Sequence, residues 1–143
     1  MFESCRVKQQ AIIDLFKSCL TAEEKYQKII ELGKMQSHLD PIYKTDENQV
    51  EGCQSRMYLR SWEKDGCVFF ESEADALISA GLAVLLLRAY NGEKPEVILK
   101  CPPDHIEELG ISQTLTPGRA NGLASLYLRM KQDALRIYMK LEQ

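Results

Sequence analysis

The fold is decided by residues 57–70, which read MYLRSWEKDGCVFF. Aromatic and aliphatic side chains occupy both ends of this stretch, and such residues suit a pleated, half-buried surface. Between them lies Asp65-Gly66, a pair that readily supplies the positive φ angles of a two-residue hairpin turn. The stretch therefore predicts an antiparallel β-hairpin, preceded by a short break in the β pattern at residues 52–55.

Helical patterns come before the hairpin. Apolar residues recur at helical spacing over about residues 5–19, which predicts a first amphipathic helix. Thr21 followed by Glu24 forms a capping box that opens a second helix, and Gly33 is expected to end it. Residues 37–48 are polar and predict a loop.

A third helix is predicted directly after the hairpin. Ser72 and Asp75 repeat the capping-box spacing, so we expect the helix to begin there and to run to Tyr90. Gly81 marks a point where this helix is expected to kink or divide.

The C-terminal half continues with helical signals. Residues 95–100 predict a short helix, and residues 106–109 a second fragment ended by Gly110. Thr116 followed by Pro117 reads as an N-cap and first helical position, and a long apolar stripe follows. The order of elements predicts an α+β fold in which helices pack on one face of a small antiparallel β-sheet. We expect residues 1–143 to form a single domain.

Composition excludes several classes of partner. The 143 residues carry 18 basic and 21 acidic side chains, a net charge of −3 without a basic patch, which argues against nucleic acid or an anionic membrane as a partner. The longest apolar stretch, residues 80–87, is far shorter than the roughly 20 residues that cross a bilayer. Residues 1–6 lack the layout of a targeting signal, which predicts a cytoplasmic protein with reduced thiols.

One cysteine has an unusual setting. The chain has cysteines at positions 5, 19, 53, 67 and 101 and no C-x-x-C pair. Cys19 falls on an apolar helix stripe and Cys67 within a strand, so both are predicted to be core thiols. Cys53 instead lies at the break in the β pattern, so we predict that it is the reactive residue.

The neighbours of Cys53 suit sulfur chemistry. Gly52 permits a sharp turn and a close approach by another molecule. Gln54 and Ser55 offer hydrogen bonds to a thiolate or persulfide, which makes them supporting loop residues. No metal site is predicted from this pattern.

Charged partners for the thiol are limited. Arg56 and Arg119 are candidates to stabilise a sulfur anion, because the thiolate is the attacking species. A cysteine hydrolase would need a histidine base. The available histidines, His38 and His105, are both predicted to be surface loop residues.

Two segments are distinctive together: VEGCQS at residues 50–55, preceded by Asn48, and LTPGRANGL at residues 115–123. In this order and spacing they resemble the SufE family, the SufE/CsdE-like sulfur acceptors that activate cysteine desulfurases. Weaker supporting matches lie at residues 23–26, 29–33, 75–76 and 81–82, so the likeness extends over residues 22–128.

The resemblance implies a function and a site. The cysteine matching Cys53 accepts a persulfide sulfur from a PLP-dependent cysteine desulfurase of the SufS/CsdA type, stimulates that enzyme, and passes the sulfur on to a downstream iron–sulfur scaffold. Arg119 matches a region associated with the desulfurase encounter, and we add Arg56 as a second partner-binding candidate. The implied fold resembles that of IscU-type scaffolds. No cofactor is expected on this chain apart from the transient persulfide on Cys53, since the PLP belongs to the partner.

Two other classes of function compete with this interpretation. An iron–sulfur scaffold of related fold would need about three converging thiol or imidazole ligands. A single-cysteine thiol redox enzyme, such as a peroxidase, would act without a protein partner. The resemblance favours a sulfur-transfer accessory protein over either, rather than a stand-alone enzyme.

Overall fold

The computed structural model describes residues 1–53, 55–113 and 115–143. Within these ranges the chain forms α-helices, a two-stranded antiparallel sheet and short 3-10 turns, so the predicted α+β class is confirmed. The helices and strands are α1 (Glu3–Leu15), α2 (Ala22–Lys34), β1 (Met57–Lys64), β2 (Cys67–Ala74), α3 (Leu77–Tyr90), α4 (Pro95–Lys100), α5 (Asp104–Leu109) and α6 (Pro117–Leu141). The 3-10 turns are Pro41–Tyr43, Asp46–Asn48 and Ile111–Gln113.

The sheet is the predicted hairpin. Lys64 pairs with Cys67 across the turn, and Asp65 and Gly66 between them have φ angles of 53° and 81°. Both angles are positive, as a two-residue turn that matches the strand twist requires. The Asp-Gly signal therefore set the register of the whole hairpin.

The two faces of the sheet have different surroundings. The inner face, which includes the fully buried Leu59 and Val68, packs against α3 and α6. On the outer face Trp62 stacks on Phe69 with ring centroids 5.9 Å apart. The Arg60 guanidinium lies 4.2 Å from the centroid of the Trp62 ring. The prediction of helices on one face is confirmed.

The predicted start of the third helix is wrong. Ser72 lies within β2, opposite Leu59, and the helix begins at Leu77. Asp75 closes the end of the sheet instead of capping: its Oδ1 accepts the Arg56 N–H at 3.1 Å, and its own N–H donates to the Arg56 carbonyl at 3.1 Å. Strand β1 thus pairs with the chain as far as Ala74. Because these residues form the backbone hydrogen bonds of the sheet, the capping pattern does not start a helix at Ser72.

Gly81 has a packing role and does not divide the third helix. Helix α3 is continuous, and a Cβ at Gly81 would collide with the Ile29 carbonyl oxygen of α2. A Cβ at Gly33 of α2 would likewise collide with the Leu77 carbonyl oxygen. The two glycines let the helix backbones touch where they cross. No helix in the described part of the chain is both long and apolar enough to cross a membrane.

Several other helix ends follow the sequence signals, although α2 continues past Gly33 to Lys34. Thr21 and Thr116 cap α2 and α6, accepting the N–H groups three residues on at 3.1 and 3.3 Å. Gly110, with φ 66°, ends α5 as predicted. Helix α1 ends at Leu15, before the predicted end at residue 19, so Cys19 lies in the turn that leads to α2.

The two histidines have opposite surroundings. The His38 side chain is 82% exposed, as predicted. His105 is only 1% exposed, so its predicted surface position is wrong. It lies in the first turn of α5, where its Nε2 contacts the Leu85 carbonyl of α3 at 2.9 Å, and its Nδ1 has no hydrogen-bond partner in the described ranges. Burial, the largest effect, lowers the pKa of His105.

We predict that His105 makes the protein less stable in mild acid. The pKa of His105 in the folded protein lies below the ordinary value of 6.5. The contribution of the neutral ring to the free energy of unfolding is therefore fully present above pH 6.5. The contribution is lost as pH falls through the lowered pKa, because the unfolded chain binds the proton more readily. Urea unfolding from about pH 8 to about pH 5 should show a smaller loss in the free energy of unfolding for His105→Gln than for the unsubstituted chain.

The exposed histidine provides the control for this measurement. His38→Gln replaces the histidine whose side chain is 82% exposed, and its pH profile should match that of the unsubstituted chain. Equal pH profiles for His105→Gln and the unsubstituted chain would show that protonation of His105 does not change the free energy of unfolding.

Candidate functional site

Cys53 lies on a short loop that folds back onto the start of β1. The Val50 N–H donates to the Met57 carbonyl at 2.9 Å, and Gln49 forms a β-bridge with Tyr58. Val50 is buried, so the base of the loop is fixed to the core. We call residues 49–53 and 55–56 the Cys53 loop; Gln54, a predicted supporting residue, lies outside the described residues.

One side of the Cys53 loop rests on α6. Gly52 has a φ of 87°, and a Cβ at this position would collide with the Ser125 Oγ. The Cys53 Sγ lies 3.8 Å from the Gly122 carbonyl oxygen. Gly122 and Ser125 are three residues apart and therefore share a helix face. The loop thus lies against the first turns of α6 at van der Waals contact.

The other side of the loop is fixed to α3. The Ser55 hydroxyl forms a 2.8 Å hydrogen bond with the Ser79 hydroxyl. Ser55, which we predicted to support the sulfur, therefore anchors the Cys53 loop to α3. Ser79 also borders the space beside Cys53.

A small cavity opens beside the thiol, between β1, α3 and α6. Its volume is about 20 Å³, enough for one group the size of a water molecule or a sulfur atom. Most of its wall is apolar. It is lined by Cys53, Met57, Ser79, Leu82, Ala83, Gly118, Arg119, Gly122, Leu123 and Leu126.

The structure brings one of the two predicted arginines to Cys53. Arg119 lines the cavity, and its guanidinium lies 5.9 Å from the centroid of the Tyr26 ring of α2. Thr116 caps the backbone of Arg119 and so fixes where the side chain leaves α6. Arg56 is exposed, and it is held through its backbone by Asp75. Arg119 thus shares the cavity with Cys53, whereas Arg56 does not line it and is exposed to solvent.

Burial raises the pKa of two thiols, Cys53 and Cys5. Cys53 is half-buried, and this burial raises the pKa of its thiol, so the protonated form is favoured in the free chain. Cys5 and Cys101 are fully buried, and burial together with the neighbouring Cys101 raises the pKa of Cys5 to about 12. Thiols with a raised pKa are poor nucleophiles at neutral pH, because the thiolate is the reactive form.

Cys19 and Cys67 do not have the buried surroundings that we predicted. Both are only partly buried, because Cys19 lies in the turn after α1 and Cys67 begins β2 opposite Lys64. Neither lines the cavity beside Cys53. In the residues that the structure describes, no three His, Cys, Asp or Glu side chains form a group able to hold a metal ion.

Several residues of the site were not predicted from the sequence. Gly122 lies within the LTPGRANGL segment but was given no role there, and Ser79 and Ser125 carry no local signal. Arg129, four residues after Ser125 on α6, donates to the Glu47 and Gln49 carbonyls at the base of the loop. Helical spacing from Gly122 would have pointed to Ser125 and Arg129, had the loop been known to lie on that face.

Comparison with known proteins identifies the family of this chain. The family model described as "SufE: Fe-S metabolism associated domain" matches residues 10–134. The chain belongs to the SufE family. The match includes both the Cys53 loop and the part of α6 against which it packs, so the SufE domain contains the whole candidate site.

Curated relatives carry the same family name. The chain is 36% identical over 137 residues to SufE-like protein 1, chloroplastic/mitochondrial, of Arabidopsis thaliana; the match covers 95% of this chain but 37% of that protein. It is 32% identical over 124 residues to an uncharacterized SufE-like protein of Synechocystis, covering 87% of this chain and 78% of the relative. This chain thus spans little more than a third of the plant protein.

A solved structure shares the fold. The solution structure of a hypothetical protein from Thermus thermophilus matches with a TM-score of 0.74 and 25% sequence identity. The match covers 92% of this chain and 96% of that one. The arrangement of helices and hairpin is therefore shared across nearly the full length of both proteins.

We predict that Gly52→Ala destabilises the SufE domain more than Gly66→Ala does. Both glycines have similar positive φ angles, 87° and 81°, so both variants incur left-handed strain of about 1–2 kcal/mol. A Cβ at Gly66 meets nothing within 4 Å, whereas a Cβ at Gly52 meets Ser125. Urea unfolding of the two variants measures the difference, which is the cost of pushing the Cys53 loop away from α6.

A second substitution separates contact from strain. Ser125→Ala removes the hydroxyl that the new Cβ would strike, so it should recover part of the stability lost in Gly52→Ala. Equal free energies of unfolding for Gly52→Ala and Gly66→Ala would mean that the close approach to α6 imposes no constraint.

Proposed function

We propose that this protein is a sulfur acceptor in iron–sulfur cluster assembly, with Cys53 as the acceptor residue. The observation that carries the proposal is the cavity beside the Cys53 thiol, within a SufE domain associated with Fe-S metabolism. The cavity offers space for one added sulfur atom. The donor is a PLP-dependent cysteine desulfurase, and the receiver is a downstream iron–sulfur scaffold.

The transfer step is a thiol–persulfide exchange. The Cys53 thiolate attacks the terminal sulfur of the persulfide on the desulfurase cysteine, and a new S–S bond forms on Cys53. The S–S bond of the donor persulfide breaks. The cysteine sulfur of the desulfurase departs as a thiolate, which can take up the proton lost by Cys53. Such an exchange is redox-neutral overall and needs no cofactor on this chain.

Burial of Cys53 explains why a partner is required. The raised pKa keeps the thiol protonated in the free protein, and the thiol form is a weak nucleophile. Docking of the desulfurase can expose the loop or bring a cation to it, and either change lowers the pKa of Cys53. Arg119 on the cavity wall is placed to pair with the sulfur anion or with a carboxylate on the partner.

The apolar wall gives the product some protection. A persulfide exposed to small thiols is readily reduced by exchange. A terminal sulfur turned into the cavity would be covered by side chains such as Met57 and Leu126. A cytoplasmic location is proposed for this chain, although the name of the Arabidopsis relative places that protein in chloroplasts and mitochondria.

Cys53→Ser is expected to abolish stimulation of a matched cysteine desulfurase by this protein. The hydroxyl cannot carry the sulfane sulfur, so sulfide release from cysteine in the presence of a reductant should fall to the rate of the desulfurase alone. Cys19→Ser and Cys67→Ala are the controls, since both thiols are partly exposed and neither lines the cavity. Full stimulation by the Cys53→Ser variant would exclude the relay mechanism.

Arg119→Ala is expected to weaken desulfurase binding or sulfur transfer while changing the melting temperature little. The side chain is partly exposed and its ring contact with Tyr26 is long, at 5.9 Å, so the cost in stability should be within about 0.5 kcal/mol. Arg88→Ala, an exposed position on α3 away from the cavity, is the matched control. A large loss of melting temperature with normal transfer per folded molecule would make Arg119 a structural residue.

A further inference from the structure

Arg129 joins α6 to the base of the Cys53 loop. Its Nη2 donates to the Glu47 carbonyl, and its Nη1 donates to the Gln49 carbonyl at 3.3 Å. Both acceptors are main-chain oxygens at or just before the start of the loop. A single guanidinium thus fixes the backbone at the point where the chain turns toward Cys53, four residues further on.

Asp133 holds Arg129 in this position. The Arg129 Nε lies 3.2 Å from the Asp133 Oδ1, and the aspartate is 2% exposed. The Ser61 hydroxyl of β1 donates to its other oxygen at 2.6 Å. A buried carboxylate with fixed partners limits the side-chain freedom of Arg129, so the guanidinium stays directed at the loop.

Three contacts with the loop lie on one face of α6. Gly122 touches Cys53, Ser125 faces Gly52, and Arg129 binds the Gln49 carbonyl. The spacing of three and then four residues keeps these positions on one stripe of a helix. The order along α6 runs opposite to the order along the loop, so the helix supports the loop from its base to the thiol.

We propose that Arg129 is a positioning residue that keeps the Cys53 thiol turned against the cavity. Among the described residues, the thiol makes one hydrogen bond, to the Gly122 carbonyl, and its length of 3.8 Å makes it weak. Its position therefore depends on how firmly the loop base is held. The bearing of Arg129 on sulfur transfer rests on the proposed function, but its effect on the thiol does not.

The surroundings of Cys53 imply that the reaction rate of its thiol reports how deeply the thiol is buried. Arg119 of α6 is the charged side chain on the cavity wall. Strand β1 contributes Met57 there, and α3 contributes Ser79, Leu82 and Ala83, none of which carries a charge at neutral pH. Release of the loop would lessen the burial that disfavours the thiolate, so the thiol would ionise at lower pH and react faster.

The test is alkylation of the full-length folded protein by iodoacetamide over a range of pH, with mass spectrometry reporting each cysteine separately. In Arg129→Ala we expect the rate at Cys53 to rise at least about tenfold, which is the lower end of the effect of losing one hydrogen bond to a charged group. The midpoint of its pH profile should move to lower pH. Rates at Cys19 and Cys67 should stay unchanged.

Arg136→Ala is the matched control. Arg136 also donates to the Asp133 Oδ1, at 3.0 Å, but its described hydrogen bonds reach no carbonyl of the loop. Its Cys53 rate and pH profile should equal those of the unsubstituted chain. Arg129→Lys keeps the charge but not the forked donors, so it should give an intermediate rate, and it carries the test if the alanine variant fails to fold.

Two results would overturn the proposal. An unchanged Cys53 rate in folded Arg129→Ala or Arg129→Lys would show that the loop base needs no clamp. Equal acceleration at Cys19, Cys53 and Cys67 would show a general loss of structure instead of local release. Neither result depends on a desulfurase. Local release of Cys53 together with full desulfurase stimulation by Cys53→Ser would support the positioning role and reject the proposed function.

Discussion

The contact between the Cys53 loop and α6 is the constraint on which the site depends. It requires a glycine on the loop, because a Cβ at Gly52 would strike Ser125. It also benefits from a glycine on the helix, because a Cβ at Gly122 would lie only 3.6 Å from the Cys53 sulfur, and any longer side chain would compete with the thiol for space. Close approach of the two backbones leaves the thiol half-buried beside a space of about 20 Å³.

The packing around Cys53 has two opposing consequences in the proposed function: it would protect an added sulfur, and it lowers the reactivity of the thiol. In the proposed function, the apolar surroundings would shelter an added sulfur, and burial raises the pKa of Cys53 and so favours the less reactive thiol form. A sulfur acceptor with a permanently exposed, ionised thiol would react quickly but would also lose its cargo to small thiols. In the proposed function, docking of a desulfurase would expose the thiol by moving this loop, which is held by hydrogen bonds at its base, with little change to the core.

The core is arranged to keep that loop in place. Helix α3 lies between the sheet and α2, crossing α2 at Gly33 and Gly81, and it presents Ser79 to the loop. Helix α6 reaches β1 through the buried Asp133 and Ser61. These two helices and β1 form the walls of the cavity, so the elements that build the hydrophobic core also shape the candidate site of this SufE protein.

The hairpin and the helix caps at Thr21 and Thr116 follow from local sequence, because each depends on residues within a few positions of one another. The choice of Cys53 as the reactive residue also rests on a local pattern, and it stays a prediction. The sequence-based prediction was wrong where distant groups compete: β1 kept Ser72 in a strand, and packing of α5 buried His105. The cavity and the contacts of Arg129 depend on the tertiary structure. They join groups 69 to 82 residues apart, such as Cys53 with Gly122 and Arg129 with Glu47, and such contacts leave no local pattern because they exist only after the chain has folded.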